Sequence, residues 1–544
     1  MVENLRRMFG RLILICIGIS CIHYAAAEPL SGPGTPWVSA PDYENFHVVV
    51  PSDASNAVLD AAADFCQLWK QSTRHEIDFD TNSSGRINVW IGNSHLPEDL
   101  SLLIEGDNPG EDLCIVRTYT PAPRYAARGA TRQLLLAGDG ELLRLTVRAF
   151  FRELLDVTWA APGVTLHPRA RYTIPVTSVK IRPSFGLREV DPRLYLMEDT
   201  PPDQARDYRM GVGLPMDALP VPPPPLNLPA QGTAAPNAPE WGSEEAAIVL
   251  AGRIAALANG EERDRYQWPP GKGDWSLSLI QPGFILSEQE GDKPQRFAEL
   301  MIKTAGNTAR RLGKEAMKEP WRIRVELPEG VTQVILPEDT PVDRLVLQVV
   351  PVTLDFFRPL HDRNVEENTR FRTALREWRV AGVRVQVILP ISGRRYPELG
   401  FPNLSAMGSM LITLHEEGVE GVYLGYPWSS VSGLPALGRW KAYLGALLAF
   451  DCGLDPDELS RRFCKAYYGE SAASAVLQIM RAVEAEFRAS GKALTLDDDG
   501  SWLSDTVRDR ILREISSVMA HAGPAEAARL EELRQCFPDN VKKE

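Results

Sequence analysis

Four short apolar runs recur at helix-separated intervals: WRIRVEL (321–327), DRLVLQVVPV (343–352), GVRVQVILPI (382–391) and GVEGVYLGYP (418–427). Helical spacing fills the gaps, over Asn364–Ala381 and Asn403–Glu417. Short strands alternating with helices imply right-handed parallel crossovers. The preferred closure is a TIM-like (β/α) barrel, and a doubly wound open sheet is the alternative. Earlier pieces fit the same scheme: a helix over Ser243–Asn259, a strand over Trp275–Ile280 and a helix over Pro294–Leu312. Between them, Leu214–Glu240 holds nine prolines, four consecutive at Pro222–Pro225, which can form neither helix nor sheet and reads as an extended loop at the barrel rim.

The first part of the chain has a different order. HVVVPSDAS from residue 47, a helix near Asn56–Gln71, RINVWIGNS, EDLCIVRTY and the run Leu134–Leu136 read as one α+β domain. After Leu136 the chain turns at Ala137-Gly138-Asp139-Gly140, enters a helix marked by Leu142, Leu145, Phe150, Leu154 and Leu155, and leaves by an extended piece at Val157–Ala160. After Leu434 the chain is helical, with Asp455 and Pro456 as cap and first residue of one helix, and two amphipathic helices meeting near Gly523. The expected organisation is therefore a leader at 1–27, an α+β accessory domain at 28–178, a barrel at 179–433 and a helical region at 434–538.

The leader reading rests on Arg6, Arg7 and Arg11 ahead of the apolar run Leu12–Ile22, then Ala25-Ala26-Ala27 as a cleavage site. That run is shorter than the ~20 residues a spanning helix needs, so export to the periplasm or beyond, without stable membrane insertion after cleavage, is expected. A net charge of −13 spread along the chain argues against a nucleic-acid partner, since nothing would collect phosphates. The cysteines outside the leader, Cys66, Cys114, Cys452, Cys464 and Cys536, form no C-x-x-C and suggest neither a disulfide framework nor a zinc site. His361-Asp362 and His415-Glu416-Glu417 lack ligand spacing, and Gly138-Asp139-Gly140 falls short of a dinucleotide fingerprint, so no metal or cofactor is expected.

The turn–helix–exit residues Ala137, Gly138, Phe150, Phe151, Glu153, Leu154, Trp159, Pro162 and Gly163 resemble the end of the small N-terminal domain of family-twenty β-hexosaminidases and bacterial α-glucuronidases. V-V-P-x-D-A-S, ending at Ser55, is similar to that domain's beginning. The D-P-D-E-L turn from Asp455 and the helix ending Tyr467-Tyr468-Gly469 resemble the family called domain of unknown function 4838, which joins such a domain to a glycosidase-like barrel. The resemblance implies an accessory domain without chemistry, a carbohydrate-active barrel, and an oligosaccharide or polysaccharide partner.

In such a barrel the chemistry sits at the C-terminal ends of the strands. Glycoside hydrolysis needs two carboxylates there, ~5 to 10 Å apart. The strand ends read from the runs are Gln281-Pro282-Gly283, Thr353-Leu354-Asp355-Phe356-Phe357-Arg358, Pro390-Ile391-Ser392 and Gly425-Tyr426-Pro427-Trp428, among which only Asp355 is acidic. The family pattern carries polar groups where this chain has Pro282, Thr353, Leu389 and Leu424. The expectation is a barrel kept while its hydrolytic centre has decayed, with Tyr426 and Trp428 still able to stack on a sugar and Gln281, Arg358, Arg188 and Glu189 to bind one. Two alternatives stand beside it: an active glycosidase pairing Asp355 with Glu288, Glu290 or Glu189, and a non-enzymatic envelope protein.

Overall fold

The computed structural model describes residues 36–537, apart from 83–85, 95, 105–106, 108–112, 121–131, 169–172, 198, 216–242, 259–274, 279–292, 313–320, 328–330, 332–335, 337–339, 394–399, 426–435 and 499. The leader residues and most of the proline-rich segment lie outside that set. The chain divides into two units, one of residues 1–146 with 169–181 and one of residues 147–168 with 182–544. The division falls inside the helix Glu141–Leu154.

The first unit holds a six-stranded mixed sheet. Its strands are β1 (Phe46–Val49), β2 (Phe79–Asp80), β3 (Ile87–Ile91), β4 (Cys114–Tyr119), β5 (Arg132–Ala137) and β6 (Ser178–Ile181), in the order β6-β4-β5-β3-β1-β2. The helix Asn56–Thr73 starts where the Ser55 hydroxyl accepts the Val58 N–H, and ends at Arg74 in the left-handed region, φ 65°. On its buried face Phe65 stacks on Trp69, four residues on, and Trp69 meets Phe46 and Tyr43, so α-helical spacing and strand alternation bring these aromatics into one core.

The second unit holds a six-stranded, all-parallel sheet: β7 (Leu187–Val190), β8 (Trp275–Ser278), β9 (Trp321–Glu326), β10 (Leu345–Val349), β11 (Arg384–Leu389) and β12 (Gly421–Leu424). Their order is β8-β9-β10-β11-β12-β7. From β8 to β12 every new strand is added on the same side, and the first strand returns to pair with the last. A doubly wound sheet reverses direction at a switch point; this one does not. It is a half-barrel of six strands among the described residues, in the one-directional order of the TIM-like barrel expected from the sequence.

Curvature is visible in the side chains. Glu189 on β7 and Arg324 on β9 lie four strand positions apart, which in a flat sheet is roughly 19 Å at ~4.8 Å per strand. Yet Arg324 donates to both Glu189 carboxylate oxygens, at 2.7 and 3.0 Å. Arg322 on β9 likewise reaches Glu420, just ahead of β12, at 2.8 Å. Such reaches require the sheet to curl, with these side chains on its inner face.

Strand alternation sends the other residues outward. Leu345, Leu347, Val349, Val385, Val387, Leu389, Val422 and Leu424 are buried, and the helices Glu366–Val380 and Ala436–Phe450 pack on this side of the sheet. Helix Ala436–Phe450 is buried along nearly its whole length, which is why its apolar residues show no single stripe.

Two outer helices are joined through Glu417, the C-cap of Leu404–Glu416. Arg372 and Arg376, one turn apart on Glu366–Val380, both chelate its carboxylate at 2.6–2.9 Å. Burial would raise the Glu417 carboxyl, but the hydrogen bonds from Arg376 and Arg372 outweigh it and hold the group below its ordinary value. A carboxyl lowered on folding contributes stability above its unfolded pKa and loses it as pH falls through the folded one. The urea midpoint is therefore expected to fall as pH drops below about 4.5, and Glu417→Gln should flatten that dependence while lowering the midpoint at neutral pH.

Candidate active site at the strand ends

The inner face of the half-barrel carries a row of polar side chains among apolar ones such as Val346 and Ile388, which are in register with Arg324 and Tyr423. Across it stand Glu189 (β7), Tyr423 (β12), Gln386 (β11), Gln348 (β10) and Arg324 (β9); Glu189 is in register with Tyr423, and Gln386 with Gln348. Gln348 donates to Gln386 Oε1 at 3.3 Å. The Nε of Arg324 and the Nε2 of Gln386 are buried with no hydrogen-bond partner among the described residues.

At the C-terminal end of the seam between β7 and β12, polar groups converge. Asp191, one residue past β7, accepts from the Arg193 backbone N–H at 3.0 Å and from its guanidinium through both carboxylate oxygens. The Tyr423 phenol is hydrogen-bonded to Asp191, and burial, with Asp191 and Glu189 close by, pushes it far above its ordinary range, so it remains a hydroxyl. Gly425 makes room: a Cβ there would lie 2.5 Å from the Asp191 Cβ and 2.7 Å from Tyr423 Cε1. The Glu189 side chain is 23% exposed and that of Arg193 40%, so the cluster reaches solvent at the barrel mouth.

Arg188, expected at the mouth, is turned the other way. Alternation puts it on the outer face, where Nε donates to the Gly213 carbonyl at 3.1 Å, Nη1 to Phe185 at 2.6 Å, and the guanidinium lies 5.6 Å from the Phe450 ring. Its neighbour Glu189 faces inward. Asp191, Arg193, Arg324 and Tyr423 escaped the sequence reading. Glu189 and Asp191 stand two apart at a strand end, and that spacing alone places both on one face.

Asp355, past the end of β10, is 2% exposed. Its Oδ1 accepts the backbone N–H groups of Phe357 (3.0 Å), Arg358 (3.3 Å) and Leu494 (3.1 Å). Oδ2 faces Arg358 Nε at 3.4 Å. The Phe356 N–H donates to the Leu494 carbonyl at 2.8 Å, so residue 494 is bonded through both its backbone groups to this turn. Leu494 and Leu496 are fully buried. Asp355 thus seats a strap from the C-terminal helical region over the end of β10. Phe356 stacks on Phe401 and Phe357 packs on Phe487, which uses both rings within the fold. Gln281, Glu288, Glu290, Tyr426 and Trp428 lie outside the described residues.

On the outer face, a small cavity bounded by Leu389, Ile391, Met407, Leu424 and Lys441 holds a fully buried amine. Burial pushes Lys441 well below the ordinary lysine range, with Glu484 opposing; its Nζ donates to the Ile391 carbonyl at 2.7 Å and to Asn403 Oδ1 at 2.9 Å. No group of three His, Cys, Asp or Glu side chains placed to hold a metal occurs among the described residues.

This architecture has known counterparts. A family GH115 4-O-methyl-alpha-glucuronidase, BtGH115A, with specificity for decorated arabinogalactans, superposes with a TM-score of 0.53 at 11% identity, over 89% of this chain and 70% of that one. At that identity the likeness establishes the fold: a glycoside-hydrolase-like architecture, with a TIM-like barrel. Looser matches are a GH138 enzyme targeting pectin rhamnogalacturonan II (TM-score 0.43, 10% identity, 90% of this chain and 68% of that one) and the Streptomyces plicatus N-acetyl-beta-hexosaminidase (0.43, 13%, 79% and 91%). No curated protein matches the chain in sequence. Residues 337–481, from the approach to β10 into the helix Glu470–Ser490, match the family model described as Domain of unknown function (DUF4838), and over that stretch the protein is similar to that family.

Proposed function

We propose that this protein is exported and binds glycans at the mouth of its glycoside-hydrolase-like barrel without hydrolysing them. One observation carries the reading: three carboxylates at or just past the strand ends, Glu189, Asp191 and Asp355, are each engaged by N–H donors of the fold. Both oxygens of Glu189 take N–H groups of Arg324, both oxygens of Asp191 take those of Arg193, and Asp355 is buried beneath three backbone N–H groups. A general acid must carry a proton on an oxygen that reaches the leaving group, opposite a second carboxylate. The oxygens of Glu189 and Asp191 carry guanidinium hydrogens instead, and Oδ1 of the buried Asp355 carries amide hydrogens. A partly exposed tyrosine, a glutamate and an arginine at the mouth still offer a ring face, acceptors and donors, which is what a sugar needs.

Purified protein incubated with aryl glycosides and aryl glucuronides is expected to give no turnover above buffer, and to bind a subset of oligosaccharides on a glycan array. Turnover removed by Glu189→Gln or Asp355→Asn would overturn the reading in favour of an active glycosidase. Silence on the array would favour a structural envelope protein.

A further inference from the structure

Resting on that glycan-binding reading, we infer that the mouth selects uncharged sugars, and that Glu189 enforces the choice by occupying Arg324. The argument is one of charge matching. Three guanidinium groups in or just beyond these strands each have their own carboxylate: Arg324 with Glu189, Arg193 with Asp191, Arg358 with Asp355. The first two pairings use both carboxylate oxygens, the geometry that a uronic acid carboxylate would itself demand of an arginine. A sugar carboxylate arriving here meets two carboxylates and no guanidinium face left open by them. Burying it without a partner is costly.

What the site still offers is hydrogen bonding from groups whose charges are already paired. The buried Nε of Arg324 and Nε2 of Gln386 lack hydrogen-bond partners among the described residues, and each can donate to a hydroxyl or to a water that bridges to one. Carboxylate oxygens retain lone pairs beyond those their arginines use, and those accept from sugar hydroxyls. Donors and acceptors left over from paired charges suit a polyol better than an anion.

The test compares two probe sets by equilibrium binding to the full chain: neutral oligosaccharides of glucose and N-acetylhexosamine, and oligogalacturonates and oligoglucuronates of similar length. Neutral sugars are expected to bind with affinity nearly independent of salt, and uronates at least about tenfold more weakly. Glu189→Gln releases one guanidinium and should raise uronate affinity by about tenfold relative to that for neutral sugars. If Glu189→Gln fails to fold, Asp191→Asn releases the half-exposed Arg193 and should give the same direction of change. A wild-type preference for uronates, a steep loss of binding with salt, or no uronate gain in a folded variant would overturn the inference while leaving glycan binding intact. No binding of either probe set overturns both.

Discussion

Asp355→Ala is expected to destabilise the second unit by about 3–5 kcal/mol, the range for removing one partner from a buried, hydrogen-bonded charge. Alanine at this position leaves the N–H groups of Phe357, Arg358 and Leu494 without their acceptor. It also leaves Arg358 without its carboxylate, a lesser loss because that side chain is 45% exposed. Asp355→Asn keeps an oxygen where Oδ1 stands and gives up mainly the charge, so it should lose less than half as much. The measurement is urea unfolding of the three proteins, read as midpoints at constant slope. A purely catalytic aspartate predicts the opposite ranking of consequences: both variants stable, both inactive. Equal midpoints for Asp355→Ala and wild type would return Asp355 to the list of candidate catalysts.

The same residue marks the boundary of what the chain reveals before it folds. Asp355 was legible as the one acid at a strand end, because strand ends follow from local pattern: WRIRVEL became β9 at Trp321–Glu326, and GVRVQVILPI contains β11 at Arg384–Leu389. The capping of Pro456–Tyr468 by Asp455 was legible for the same reason, since the cap and the N–H it binds are two residues apart. The partner of Asp355 was not. Leu494 lies 139 residues further on, and nothing in Lys492–Leu496 announces a segment that will lie across a barrel rim. Glu189 and Arg324 are 135 residues apart and belong to strands that are not even neighbours, so their pairing exists only once the sheet has curled. Local chemistry decides where a carboxylate sits; tertiary closure decides whether its oxygens are available. Glu189 was legible as a candidate beside Arg188, but Asp191, two residues on and on the same face, was not weighed with it.

Gly211→Ala is the second large effect, expected to cost about 3 kcal/mol, at the top of the range for overpacking a filled interior. Gly211 closes the helix Pro202–Gly211, and a Cβ on it would sit 2.2 Å from Cγ and 2.7 Å from Cβ of Trp159. Those atoms are the root of a rigid indole, not the tip of a flexible chain. The ring is 1% exposed, its strand Thr158–Ala161 is paired with Val164–Leu166, and the Arg148 guanidinium lies 5.1 Å from its centroid, so the collision has no cheap exit. Trp159 was conspicuous in the sequence as the start of the Trp-x-x-Pro-Gly exit; the glycine that lets it seat was not, since it lies in another element and has no unusual backbone angle to betray it. A control separates this packing effect from glycine chemistry in general. Gly252, in the helix Glu244–Ala258, is exposed, and a Cβ there would meet nothing within 4 Å. Gly252→Ala should therefore be neutral or stabilise by about 0.5–1 kcal/mol through helix propensity alone. Urea midpoints moving in opposite directions for the two alanines would show that the contact with Trp159, and not the loss of glycine, sets the sign; a midpoint for Gly211→Ala within error of wild type would mean the ribbon carrying Trp159 yields.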